Sequence, residues 1–166
     1  MQAFLVEIAM PPKAQQKSKA QRARLRIETQ RTLYQVKLCG WDLTWSFSLA
    51  LPNNSTSNEG HYNEHMILSL KGEVLYPEKF KYPDVECLLC ADPRLTQDID
   101  RPKGIGSMTA SGTRLVAYIA MPRERIDALI GAADRLLSLE LNATPLHYRR
   151  ALVMSIHLGT ELEPDW

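Results

Sequence analysis

Apolar and polar residues alternate along most of this chain, and a period of two predicts half-buried strands. Phe4, Val6, Ile8 and Met10 alternate with Leu5, Glu7 and Ala9, and Tyr34, Val36 and Leu38 alternate with Gln35 and Lys37. The cleanest run is Leu43, Trp45, Phe47, Leu49 and Leu51, separated by Thr44, Ser46, Ser48 and Ala50. Met66, Leu68 and Leu70 continue the pattern, and Gly72 reads as a bulge before Val74 and Leu75. Val85, Cys87, Leu89 and Ala91 predict another strand, as do Leu137, Leu139 and Leu141, and Leu152, Met154, Ile156 and Leu158. The stretch from Leu115 to Met121 is almost wholly apolar, which predicts a central strand covered on both faces.

One segment follows the other period. Ile126, Leu129, Ile130 and Ala133 fall at i, i+3, i+4 and i+7, one stripe of a helix over about residues 123–135. Pro122 suits its first turn, and Glu124 and Arg135 match the helix dipole. Residues 52–60 and 92–112 are rich in turn formers and read as long loops, with a short strand around Ser107 in the second. About eight short strands and one packed helix predict a mainly β fold. The expected form is an antiparallel β-sandwich or an open-barrel-like domain, with residues 1–166 as a single domain.

Composition narrows the function classes. At 166 residues, with 45% hydrophobic and 23% charged residues, the chain can build its own core. A formal net charge of +1 gives no global field that would draw it to nucleic acid or an acidic membrane. Three cysteines are too few for a disulfide framework. The N-terminal residues MQAFLVEIAM do not read as a signal peptide, and no run approaches the length of a membrane span. The expectation is a cytoplasmic protein with no membrane contact.

Candidate chemistry is sparse. His61-Tyr62-Asn63-Glu64-His65 matches the string H-x-x-E-H, which on a helix would put two zinc ligands and a general base on one face. Here a polar loop precedes it and a strand-like run follows it. Cys87 and Cys90 have a metal or redox spacing, but residues three apart in a strand point to opposite faces. Gly104-Ile105-Gly106-Ser107 lacks the lysine of a P-loop and leads into a strand. Ser155 and His157 share a strand face without a nucleophile elbow. No catalytic residue, metal site or cofactor is assigned.

The one strong charge asymmetry lies in residues 13–26. There Lys13, Lys17, Lys19, Arg22, Arg24 and Arg26 meet no acid until Glu28, and a mobile basic arm able to contact a partner is expected. These signals favour a non-enzymatic binding or assembly module acting on a protein partner or on itself. A metal-assisted hydrolase at His61, Glu64 and His65, and nucleic-acid binding through residues 13–26, are the alternatives.

Overall fold

The computed structural model describes residues 30–49, 62–92 and 104–162. The strand expected over Phe4–Met10, the basic residues 13–26, the loop 52–60 and His61 lie outside these segments. Of the described residues, 65% are strand. The strands are β1 (Thr32–Leu49), β2 (Tyr62–Tyr76), β3 (Asp84–Ala91), β4 (Gly106–Ser111), β5 (Arg114–Met121), β6 (Ser138–Ala143) and β7 (Arg150–Gly159). The helix α1 covers Arg123–Ile130, and a 3-10 turn follows at Ala133–Arg135.

The mainly β expectation with one packed helix holds, and of the two expected forms the barrel-like one fits: the sheet closes into a barrel in the order β1-β2-β3-β5-β4-β7-β6, which is not clearly a sandwich. Nor is it wholly antiparallel. β3 and β5 pair in parallel from Asp84↔Arg114 to Ala91↔Met121. The cause is β4, the short strand expected around Ser107 within the 92–112 stretch. It pairs with β5 on the side away from β3, through a tight turn in which Gly112 takes a φ of 59°. Seven strands closing on themselves leave no open edge in the barrel wall, and closure is how such folds remove edges.

Period two decides which side chains point inward. Tyr34, Val36 and Leu38 of β1 meet Met66, Leu68 and Leu70 of β2, Cys87 and Leu89 of β3, Leu115 and Ile119 of β5, and Leu139 and Leu141 of β6 in one continuous core. The apolar stretch in β5 is covered on one face only. Its inward residues are buried, while Tyr118 is half exposed on the outside. A barrel wall has a single inner face, so an apolar run there does not require cover on both sides.

β1 merges the two strands expected at 34–38 and 43–51. The register slips by one residue between Leu38 and Gly40 against β2, so even-numbered residues face inward before the slip and odd-numbered ones after it. This bulge at Cys39 reconciles two alternating runs that are out of phase. Gly72 sits opposite it, and a Cβ there would come within 2.4 Å of the Lys37 carbonyl oxygen. Only glycine allows that approach.

The barrel ends are closed differently. At the end where β1 begins, Phe80 packs edge-on against Tyr34 with centroids 5.3 Å apart and against Tyr82 at 5.6 Å. At the other end α1 leaves β5 and buries Ile126 completely. The helix stops at Ile130, short of residue 135, because Gly131 breaks it and the chain tightens into the 3-10 turn before joining β6. Arg135 therefore lies in that turn and not in the last turn of the helix.

A candidate docking face on the β1–β2 ribbon

β1 and β2 are much longer than typical strands of about five or six residues. β6 pairs with β1 only over Thr32–Lys37, and β3 pairs with β2 only over Ile67–Glu73. Beyond these limits the two strands continue alone, paired from Trp45↔Met66 to Leu49↔Tyr62, as a two-stranded ribbon projecting past the barrel. The alternation that fills the core runs on into it without interruption. Leu43 and Trp45 lie opposite Leu68 and Met66, both buried, so the inward face of the wall becomes one face of the ribbon. There it has no barrel to fill.

That face carries Leu43, Trp45, Phe47, Leu49 and Tyr62, which are 42–67% exposed. The rings form a ladder. Trp45 and Phe47 are nearly parallel at 6.3 Å, and Phe47 and Tyr62 stack at 5.0 Å. Cross-strand and same-strand ring contacts of this kind stiffen a sheet face. The opposite face presents Thr44, Ser46 and Ser48, with His65 paired to Ser46. The ribbon is thus amphipathic in the same way as a strand on a protein surface, with its apolar side uncovered.

α1 and its 3-10 turn hold the base of the ribbon. Trp41 Nε1 donates to Asp134 Oδ1 at 2.9 Å, and Trp45 Nε1 donates to Glu64 Oε1 at 2.8 Å. Glu64 also forms an ion pair with Arg123, which in turn reaches Asp127 one helical turn on, at 3.6 Å. From Trp41 to Trp45 a strand advances roughly 13 Å, and an eight-residue helix is roughly 12 Å long. Arg123 at the start of α1 and Asp134 in the 3-10 turn therefore tie this segment to β2 and to β1. The Trp45 indole, followed by the Arg123 charge, holds the Glu64 carboxyl below the ordinary carboxylate range.

The sequence candidates fall as follows. Glu64 and His65 are neighbours in β2, so their side chains leave on opposite faces, and Glu64 is already engaged by Trp45 and Arg123. A strand does not bring the acid and the second histidine of H-x-x-E-H together. Among the described residues no three His, Cys, Asp or Glu side chains are grouped to hold a metal ion. Cys87 points into the core and Cys90 outward, and burial pushes the Cys87 thiol up to about 12. Cys39 is exposed at the β1 bulge with Sγ 3.4 Å from the Lys71 carbonyl oxygen.

Gly106 is where β4 runs hard against β5. A Cβ there would lie 2.0 Å from the Tyr118 carbonyl oxygen, so this glycine serves strand packing. Ser155 accepts from Asn142 Nδ2 at 3.2 Å on the outer surface.

The ribbon face itself was missed in the sequence. The signal was there in its length: unbroken alternation far longer than a barrel wall, interrupted by the polar stretch 52–60, marks a hairpin that outruns its sheet. In the described residues no helix is long and apolar enough to cross a membrane. No family model, curated protein or solved structure matches this chain.

Proposed function

We propose that this chain is a non-enzymatic assembly module that docks protein on the apolar face of the β1–β2 ribbon, and that its partner there is a second copy of itself. One observation carries the reading. Leu43, Trp45, Phe47 and Leu49 stand exposed along β1, with Tyr62 of β2 beside Leu49 on the same face, and from Trp45 onward this face projects from the barrel. A contiguous apolar patch of this kind marks an interaction surface.

Charge and area favour self-association. Among the described residues of this face the one acid is Glu64, and Arg123 neutralises it. The surface thus asks for an uncharged apolar partner, and a second ribbon offers one. A two-fold arrangement places the same patch on both copies. Half-exposed side chains of this size each present roughly 100 Å², so five per copy bury about 1,000 Å² in a dimer, the threshold for a specific interface. A lone two-stranded ribbon is marginally stable in water, and packing two face to face gives each the second layer it lacks.

Light scattering on the purified full chain over a wide concentration range tests the reading. The expected mass approaches twice the monomer for wild type and stays monomeric for the double variant Trp45→Ser/Phe47→Ser. The folded signal of that variant is expected to be retained, because both side chains lie outside the core. A wild-type chain that is monomeric throughout, or a dimer that survives the double substitution, would end the proposal.

Single-stranded nucleic acid is a second reading. It is favoured by the exposed rings of Trp45, Phe47 and Tyr62 together with the positive charges of residues 13–26. Stacking on bases needs free ring faces, and here Phe47 is already sandwiched by its neighbours. This reading predicts affinity for oligothymidylate that falls steeply with salt, and no binding at low salt removes it.

A further inference from the structure

The strand β1 has two edges, and along the ribbon one of them lacks a partner among the described residues. On the side away from β2, β1 pairs with β6 only over Thr32–Lys37, and the Leu38 N–H then donates to the Leu137 carbonyl at 2.9 Å. The 3-10 turn reaches as far as Trp41 through Asp134. From Asp42 to Leu49 no described strand lies on that side, and all eight residues are exposed. Strand N–H and C=O groups point alternately to the two sides, so half of those in Asp42–Leu49 face away from β2.

Folded proteins guard such an edge with lysine, proline, a bulge or a cover. The residues of Asp42–Leu49 (DLTWSFSL) include no lysine, proline or glycine, their one charge is paired with Lys71, and the bulge of β1 lies before them at Cys39. The other strand of the ribbon is better protected, with Glu64 ion-paired to Arg123 and His65 beside it. A two-stranded ribbon is marginal in water, and a third strand is what makes such a sheet stable.

We propose that Phe4–Met10 of the same chain adds to this edge as an antiparallel third strand. The segment has the strand period, no proline or glycine, and seven residues to set against eight. Phe4, Val6, Ile8 and Met10 form one wholly apolar face, which continues the row of Leu43, Trp45, Phe47 and Leu49. The other face brings Glu7 to the side of Thr44, Ser46 and Ser48. The reverse placement would set Glu7 among the rings and on the side of Glu64, with like charge.

Reach sets the direction. Residues 11–31 join the segment to Thr32, and a flexible chain of that length has an end-to-end distance of roughly 25 Å and a limit of roughly 70 Å. An antiparallel strand places Met10 at the base of the ribbon near Leu43, roughly 36 Å along β1 from Thr32. A parallel strand would carry Met10 to the tip at Leu49, roughly 56 Å away, close to the limit of the linker. This docking lies within one chain and leaves the apolar face open, so it does not rest on the self-association proposed above.

Amide exchange of the ¹⁵N-labelled full chain, read residue by residue at one low protein concentration, tests it. In wild type the amides of Leu43–Leu49 should all be protected, those turned away from β2 as well as those turned toward it. The full-length double variant Leu5→Pro/Ile8→Pro puts one proline on each parity of the segment, so at least one removes a donor to β1. In it the amides turned away from β2 should exchange at least about tenfold faster, while those turned toward β2 and those of β3 and β5 hold. Leu5→Val/Ile8→Val, which keeps the strand character, should reproduce wild type. Outward amides that exchange freely in wild type, or that stay protected in the proline variant, would overturn the proposal. Protection that appears only as concentration rises would assign the edge to a second copy and overturn it as well. The mass measured by light scattering reports on the face separately, so either proposal can fail alone.

Discussion

Replacing Ile126 by alanine tests whether α1 is the plug that closes the ribbon end of the barrel. Ile126 is the one buried side chain of that helix and is fully removed from solvent within the core. The substitution deletes three carbon atoms, worth about 2.4 kcal/mol of transfer free energy at roughly 0.8 kcal/mol each. The cavity left between the strands adds to this, and comparable isoleucine-to-alanine changes cost roughly 2–5 kcal/mol in all. Alanine's better helix propensity returns only about 0.4 kcal/mol. The net expectation is a loss of about 3 kcal/mol. Denaturant unfolding at one low protein concentration measures it, with Arg125→Ala on the exposed face of the same helix as a control expected within about 0.5 kcal/mol of wild type. A loss below about 1 kcal/mol for Ile126→Ala would mean that the helix does not seal the core, and the account of how the ribbon is anchored would fail with it.

Two further outcomes follow from the titratable groups. Glu64 has its folded-state value depressed by Trp45 and Arg123, so its stabilising contact is complete above the ordinary value of 4.5 and is lost only as pH falls through the lower folded value. The Trp45 indole N–H resonance should therefore hold still across roughly pH 5 to 8 and move only in acid. Movement with a midpoint above the ordinary carboxylate value would contradict the contact. Cys87 behaves oppositely. Its thiol titrates near 9.0 in the unfolded chain but only near about 12 in the fold, so its contribution to stability is full below 9 and is lost as pH rises toward 12. In a native thiol-labelling time course Cys39 should react first, Cys90 more slowly, and Cys87 only on unfolding. Early labelling of Cys87 would show that β3 is not held in the wall as described.

The inward set of the barrel could be read almost residue by residue, because period two is a local property: Tyr34, Val36, Leu68, Leu70, Cys87, Leu89, Leu139 and Leu141 are where alternation places them. Closure and strand order could not be read, because alternation assigns faces and not neighbours. The parallel β3–β5 pair depends on which side of β5 the strand β4 takes, a choice made by long-range pairing. The divergence of Cys87 and Cys90 follows directly from strand geometry. The ribbon was hidden by the same rule that found the core. Leu43, Trp45 and Phe47 look like buried strand residues in sequence, and only the end of the neighbouring strands β6 and β3 turns them into surface.

The central claim, that the ribbon's apolar face is an interface between copies of this chain, is tested most directly by amide hydrogen exchange followed as a function of protein concentration. The account predicts that protection of the amides in Leu43–Leu49 and Tyr62–Met66 rises with concentration, while the barrel strands β3, β5 and β6 stay unchanged. Ribbon protection that is independent of concentration, or a rise confined to the barrel wall, would contradict it.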